Sequence, residues 1–258
     1  MNTKNIFVTG DIHGSFKPIR EFYERQSELL KDKDNILICL GDFGGNFFFD
    51  YRDEKFKKKL GKYPFTYFVI RGNHEERPSI CMQKNPDKWH TEIYFDETVY
   101  VENDYPYIKY ALDAPAVYTI NDYRTLVLPG AYSVDKYYRL QNGWTWFENE
   151  QLNEMEKECG RQLVRDYRGM FNLVLSHTCP LIYEPIDLFL PFVDQSTVDV
   201  SMERYLGEIE YNINYRAWLW GHFHSFRDYP RSDGRFRTML YNDFINLDEY
   251  MFGIVERL

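Results

Sequence analysis

The sequence predicts an α/β protein with a buried parallel sheet, folded as a single domain over residues 1–258. Three short apolar runs, at 5–11, 35–42 and 65–73, each end in a glycine followed by a polar residue. Segments with apolar residues at helical spacing lie between these runs. Strands that alternate with helices are typical of βαβ units, whose parallel strands are covered by helices.

The second half of the chain predicts a second layer of β-structure. Short strands separated by turn residues fill 91–131 and are expected to be antiparallel. A helix is predicted over 147–160, ending near Gly160. Apolar runs at 171–178 and 215–225 repeat the opening pattern of a strand followed by polar residues. The sequence shows neither an internal repeat nor a linker, which favours one domain with two β-rich layers.

Composition and charge exclude several classes of protein. Hydrophobic residues make up 44% and charged residues 28% of 258, which is typical of a globular protein. A net charge of −9 argues against binding to long nucleic acid, which needs a basic surface. Dispersed cysteines, no basic-then-apolar leader and no apolar run near eighteen residues predict a cytoplasmic protein without a membrane partner. The sequence does not indicate an oligomeric state.

Polar side chains with metal-binding chemistry follow five of the predicted strands. Five of the six histidines lie there, and His90 is the exception. Because ligand sites in α/β sheets lie outside the carboxyl ends of the strands, these segments are expected to converge on one crevice. The residues concerned are Asp11, His13, Asp42, Asn73, His74, His177, His222 and His224.

The donor types suit a pair of metal ions. Two carboxylates, four imidazoles and one amide oxygen are too many ligands for one tetrahedral zinc. They suit two divalent cations that share a bridging carboxylate and keep positions open for water. No cysteine takes part, which disfavours a structural zinc site.

Five sequence blocks carry a resemblance to a known family. "GDIHG" at 10–14, "GDFGG" at 41–45, "GNHE" at 72–75, "SHTCP" at 176–180 and "GHFH" at 221–224 resemble, in order, the motifs of the calcineurin-like metallophosphoesterases. The resemblance implies a four-layer α/β-β/α sandwich, in which two mixed β-sheets are flanked by helices. It also implies a hydrolytic centre with two divalent ions, which could be Mn, Fe, Zn or Co, with Mn favoured.

The resemblance also assigns roles to the site residues. Asp11, His13 and His224 would hold one metal ion. Asn73, His177 and His222 would hold the other, and Asp42 would bridge the two. His74 would not be a ligand but a catalytic residue that faces the substrate.

A mechanism follows from that arrangement. Two cations close together activate a bridging hydroxide near neutral pH and clamp the phosphoryl oxygens of a phosphate-ester substrate. His74, protonated, would stabilise developing charge or protonate the leaving oxygen. The expected reaction is hydrolysis of a phosphomonoester or phosphodiester bond.

The segment after Asp42 favours some branches of the family over others. The protein-phosphatase branch continues this block with Asp-Arg-Gly, whereas this chain has Phe43, Gly44, Gly45 and Asn46. A phosphodiester or nucleotide-type substrate is therefore favoured. A Ser/Thr protein phosphatase, a dinucleotide-polyphosphate hydrolase and a nuclease are the alternatives on the same centre.

A second alternative is a protein of another class, a non-catalytic scaffold like the retromer subunit of this family. A scaffold is expected to have lost ligands and the catalytic histidine, and this chain keeps both.

Substrate contacts are expected in three loops, 43–50, 132–146 and 179–200. Their aromatic residues could stack on a base, and three polar side chains could contact phosphate. The aromatic candidates are Phe47, Phe48, Tyr132, Trp144 and Tyr183, and the polar ones are Asn46, Arg71 and Arg139.

Overall fold

The structure, a computed structural model, describes residues 5–31, 34–254 and 256–258. Its first half alternates strands with helices, as the sequence predicts: β1 (Asn5–Thr9), α1 (Lys17–Arg25), α2 (Ser27–Leu30), β2 (Asn35–Cys39), α3 (Tyr51–Leu60), β3 (Phe65–Val69) and α4 (Pro78–Lys84). The middle is rich in strands: β4 (Trp89–Tyr94), β5 (Glu97–Glu102), β6 (Ile108–Tyr110), β7 (Ala116–Ile120) and β8 (Tyr123–Leu128). The remainder contains α5 (Lys136–Gln141), α6 (Glu154–Asp166), β9 (Leu173–Ser176), α7 (Ser201–Tyr211), β10 (Ala217–Trp220), β11 (Arg227–Asp228), β12 (Phe236–Met239), β13 (Ile245–Asn246) and α8 (Leu247–Met251).

Within the described residues the strands form two mixed sheets. The first has seven strands in the order β13-β1-β2-β3-β6-β5-β4, and the second has six in the order β11-β12-β10-β9-β8-β7. Strands β1, β2 and β3 are parallel and in register, so that Thr9, Cys39 and Val69 end level with one another. Strands β9 and β10 are parallel neighbours in the second sheet. The carboxyl ends of these five strands are the ones that the sequence marks with polar residues.

Three apolar clusters show how the layers pack. Alternate residues of β1 and β2 face the second sheet, and an interior cluster joins Val8 and Ile38 to Leu175. Their neighbours face outward, where helices cover the sheet; Phe7, for example, packs against Phe22 of α1 with ring centroids 5.0 Å apart. The outer face of the second sheet is covered in the same way by α6 and α7. This is the four-layer sandwich with two mixed sheets flanked by helices that the resemblance implies.

The predicted helix over 147–160 is wrong in both of its bounds. Helix α6 begins after Asn153, whose side chain accepts a hydrogen bond from the backbone of Glu156 while the Glu156 carboxylate accepts one in return. This capping box starts the helix at Glu154, later than the predicted start at residue 147. Gly160 lies inside the helix. Glycine is needed at this position because a side chain would collide with the Tyr205 hydroxyl of α7. Among the described helices, none is long and apolar enough to cross a membrane.

Candidate metal centre

All eight predicted site residues lie in the loops that follow β1, β2, β3, β9 and β10. Because β1–β3 are parallel within one sheet and β9 and β10 within the other, these loops meet at one edge of the sandwich. The structure brings the side chains together into two adjoining groups with Asp42 between them. His90 lies apart on β4, where it is exposed and pairs with Asn103.

The first group joins the two ends of the motif series. The Asp11 Oδ2 atom lies 3.2 Å from His224 Nε2 and 3.7 Å from His13 Nε2, and the two imidazole nitrogens are 2.8 Å apart. Asp11 is fully buried, and its Oδ2 atom, which faces the imidazoles of His224 and His13, makes no well-aligned hydrogen bond within the described residues. A buried carboxylate oxygen without a hydrogen bond is costly unless a cation satisfies it. This donor set therefore fits a divalent metal ion.

The second group centres on His177. Its Nδ1 lies 2.7 Å from the Leu40 carbonyl, which can only accept, so that nitrogen carries a proton and Nε2 is the ring nitrogen that faces the centre. The Nε2 atom lies 2.8 Å from Asn73 Oδ1, and the His222 ring packs against the His177 ring at 5.0 Å. Desolvation, aided by neighbouring His177, lowers the pKa of His222 to about 3, which keeps its ring in the neutral form that binds metals.

Asp42 lies between the two groups with one oxygen facing each. Its Oδ2 atom is 3.9 Å from His13 Nε2, and its Oδ1 atom is 3.6 Å from His177 Nε2. The Oδ1 atom also accepts a hydrogen bond of 2.8 Å from the backbone N–H of His74. Burial opposes ionisation, but the pKa of Asp42 is held below its usual value by the charge that the imidazoles of His177, His74 and His13 carry when protonated and by the hydrogen bond from the His74 backbone. An ionised carboxylate placed between two donor groups fits the bridging position.

Close packing and backbone geometry both mark this centre. A side chain at Gly41 would lie 2.1 Å from His177 Nδ1, so glycine is what lets the imidazole approach the loop after β2. Four of the predicted ligands have left-handed backbone conformations, which are uncommon for residues other than glycine. They are His13 (φ 48°), Asp42 (φ 45°), His222 (φ 71°) and His224 (φ 50°). The loops hold these residues in conformations suited to the site rather than to the strands.

His74 lies beside the two groups and contacts Arg139 of α5. Arg139 Nη2 is 2.8 Å from His74 Nδ1, and the same guanidinium donates to Asp135 Oδ2 at 2.8 Å. Because arginine has no acceptor, His74 Nδ1 must accept, which leaves the ring proton on Nε2. Burial lowers the pKa of His74, and the positive charge of Arg139 lowers it further, whereas the negative charge of Asp42 raises it. With Nδ1 as the acceptor, the ring in this arrangement is neutral and can donate a hydrogen bond through Nε2.

The side chains that orient Asn73 are ones that sequence reasoning missed. Asn73 Nδ2 donates to Ser133 Oγ at 2.8 Å, which directs the amide oxygen toward His177. Ser133 is held in turn by Glu150, which accepts from its backbone at 2.9 Å and from its hydroxyl at 2.5 Å. These residues come from a segment without a recognisable motif, so no local pattern could have identified them.

Two cavities open beside the centre and share the side chains of His13, Asp42, His74 and Arg139. The smaller, about 290 Å³, has Phe47 and Phe48 in its wall, and the larger, about 570 Å³, has Tyr132. These three aromatic residues and Arg139, which the sequence names as candidate substrate contacts, line the cavities beside the centre.

The other suggested contacts lie elsewhere. Arg71 is buried and donates to the carbonyl oxygens of Gly72 at 3.0 Å and Glu150 at 2.7 Å, and Asn46 is buried as well. Trp144 packs on Tyr138, and Tyr183 packs on Trp220. None of the four lines either of the two cavities described above.

Comparisons with known proteins agree with the motifs and the fold. A sequence profile described as calcineurin-like phosphoesterase matches residues 4–226. A comparison with curated protein sequences gave no significant match.

Among solved structures, a dimetal phosphatase from Danio rerio is similar at 10% identity and a TM-score of 0.52, over 96% of this chain and 93% of that one. A phosphopantetheinyl hydrolase from Mycobacterium tuberculosis shares 14% identity over 93% and 91% of the two chains, with a TM-score of 0.47. A protein of Thermus thermophilus shares 13% identity over 94% of each chain, with a TM-score of 0.49.

Proposed function

Because the chain belongs to the calcineurin-like phosphoesterase family, we propose that it is a hydrolase with two divalent metal ions, manganese favoured, that cleaves a phosphodiester or nucleotide-type substrate. The observation that carries the proposal is the position of Asp42, with one carboxylate oxygen toward each of two donor groups. Seven donor side chains are more than one tetrahedral metal ion coordinates. The donors accept Mn, Fe, Zn or Co, and availability decides between such metals.

Each group of side chains has a separate task in this proposal. Asp11, His13 and His224 hold one ion, while Asn73, His177 and His222 hold the second. The bound pair supplies a water of lowered pKa and a Lewis acid for the phosphoryl oxygens.

His74 is left to stabilise the leaving oxygen. Its Nε2–H is directed away from the Arg139 contact and can donate a hydrogen bond to the charge that develops on that oxygen, without giving up its proton. Arg139 fixes which nitrogen carries that proton and brings a positive charge beside the site of reaction.

The loop after Asp42 supports a diester rather than a phosphoprotein substrate. The backbone N–H groups of Gly44 and Gly45 point to the buried Glu75 carboxylate, at 2.5 Å and 3.4 Å. Burial raises the pKa of Glu75 to about 8, with Asp42 adding to the effect. This loop is folded inward and presents neither an acid toward His74 nor an arginine toward phosphate.

A substrate panel tests the proposal. We expect the manganese-loaded protein to hydrolyse bis-p-nitrophenyl phosphate with a kcat/KM about tenfold or more above that for a phosphoserine peptide. A ratio in favour of the peptide would contradict the diester assignment. Manganese binding without hydrolysis of any ester would indicate the scaffold alternative.

Cellular context is part of the same proposal. A cytoplasmic location follows from the dispersed cysteines, all four of which are free thiols in the structure. The net charge of −9 supports a small phosphate ester as the partner rather than long nucleic acid.

Arg139 provides an independent test of how His74 is held. Arg139→Met should lower kcat roughly 10–100-fold, because the imidazole loses the contact that fixes its tautomer and orientation. Metal content should not change, since Arg139 is not among the donors. Arg165→Met removes an exposed arginine of α6 that pairs with Glu158 and serves as the control. Equal kinetics for the two variants would show that the Arg139 contact has no role.

A further inference from the structure

The two cavities beside the centre differ in size and in lining, which bears on the substrate. Since both share His13, Asp42, His74 and Arg139, a phosphoryl group at the centre has room for a substituent on each side. The larger, at about 570 Å³, has the volume of a small-molecule site. A monoester would leave one of these cavities without an occupant, whereas a diester has a substituent for each.

The wall of the larger cavity is mainly apolar. Much of it comes from the segment 184–200, and the rest from helices α5 and α7 and from the loops that carry the metal centre and that follow β8. Its apolar members include Tyr132, Leu188, Phe189, Leu190, Val193 and Phe223. Phe189 and Phe223 stack with ring centroids 6.4 Å apart, which gives one side a flat apolar surface.

The charged residues of this cavity are unsuited to an anion. Besides Asp42 of the centre, four carboxylates line it, namely Asp135, Glu184, Asp199 and Glu203. Among the described residues, Arg139 is the only arginine or lysine in the lining, and it is paired with Asp135. Beyond the metal centre, a polyphosphate chain or a nucleic-acid backbone would meet these carboxylates without a compensating lysine or unpaired arginine.

The smaller cavity has a different character. Its wall carries Phe47 and Phe48, and their backbone N–H groups both donate to Asp53 Oδ2, at 3.0 Å and 2.9 Å. Arg52 lies over the Phe48 ring, 3.5 Å from its centroid. This cavity is a compact site with fixed aromatic walls, suited to a small or planar substituent.

The geometry points to a phosphodiester substrate with one uncharged, apolar substituent, such as an alkyl or aryl chain, that occupies the larger cavity. This inference rests on the proposed phosphodiesterase activity and adds the substrate class to it. It disfavours dinucleotide polyphosphates, because each of their ends is polar and their linking chain is anionic.

Alkyl p-nitrophenyl phosphodiesters test the inference with one leaving group throughout. From the methyl to the octyl ester, kcat/KM should rise roughly 10²–10⁴-fold, because burial of each methylene contributes up to about fourfold. An ester that ends in a carboxylate should lose this gain, since it would face the four carboxylates of the larger cavity. Calorimetry with octylphosphonate and methylphosphonate, which lack the scissile ester bond, should show the same order of affinity.

A matched pair of variants locates the effect. Leu188 lines the larger cavity and is 40% exposed, whereas Ile186 is 74% exposed in the same short helical turn and does not line it. Leu188→Asp should abolish most of the octyl advantage, because it lowers kcat/KM far more for the octyl ester than for the methyl ester. Ile186→Asp should leave both unchanged.

The outcomes separate this inference from the proposed function. A flat dependence on chain length, with the methyl ester hydrolysed, would overturn the inference while the phosphodiesterase proposal stands. An octyl advantage that survives equally in both variants would also overturn it, because the chain would then bind elsewhere. If the metal-loaded protein hydrolyses none of the esters, the proposed function itself fails and the inference fails with it.

Discussion

His74→Asn should lower kcat roughly 10²–10⁴-fold while KM and metal content stay close to those of the native protein. The reason is that Nε2 of His74 is free to donate, whereas Nδ1 is occupied by Arg139 at 2.8 Å. An interaction made only as the ester bond breaks leaves substrate binding in the ground state unchanged. Kinetics and elemental analysis of the same preparations check both parts of the expectation.

The leaving group shows whether His74 acts on the leaving oxygen. A p-nitrophenol leaving group carries its negative charge without help, so the variant should lose less activity on a p-nitrophenyl ester than on an alkyl ester. His90→Asn, at an exposed histidine outside the centre, is the matched control. Equal losses on both leaving groups would show that His74 does not act on the leaving oxygen, and loss of a metal ion would make His74 a ligand.

Asp42→Asn should have a different effect, the loss of the second metal ion together with most of the activity. The native protein should bind two manganese ions per chain, because each oxygen of Asp42 faces one donor group. The amide keeps an oxygen to accept from His74 N–H but loses the negative charge that two cations share. We expect at least a 10–100-fold weaker affinity for one ion and a fall in kcat of roughly 10²–10³-fold or more.

Titration of metal-free protein with manganese measures this directly. Thermal unfolding of the two metal-free proteins provides the control, since the variant should remain as stable as the native protein without metal. One ion per native chain at saturation would contradict the dinuclear centre. Two ions in the variant with unchanged affinity would show that Asp42 does not bridge.

The motifs were sufficient to predict the fold class and the convergence of eight side chains, for a physical reason. Each motif follows a buried strand, and parallel strands bring their carboxyl ends to a common edge. Pairings across the chain were out of reach. Arg139 and His74 are 65 positions apart, and Asn73 and Ser133 are 60 apart, so no local period connects them.

The error at α6 has a related origin. The sequence predicts a helix over 147–160, whereas the capping box of Asn153 and Glu156 decides where the helix begins. Glycine often ends helices, but Gly160 does not end this one. Glycine is needed at position 160 because of the close contact with Tyr205, a residue of another helix, and only the folded structure shows this contact.

The left-handed conformations at His13, Asp42, His222 and His224 imply that the backbone geometry of the metal centre lowers the stability of the folded protein. Each such residue costs about 1 kcal/mol relative to glycine. Glycine in place of His13, His222 or His224 would remove that cost together with a metal ligand. Bound cations offset the cost by mass action. A descendant could thus abandon catalysis, keep its architecture and gain stability, a route by which an enzyme fold becomes a purely structural one.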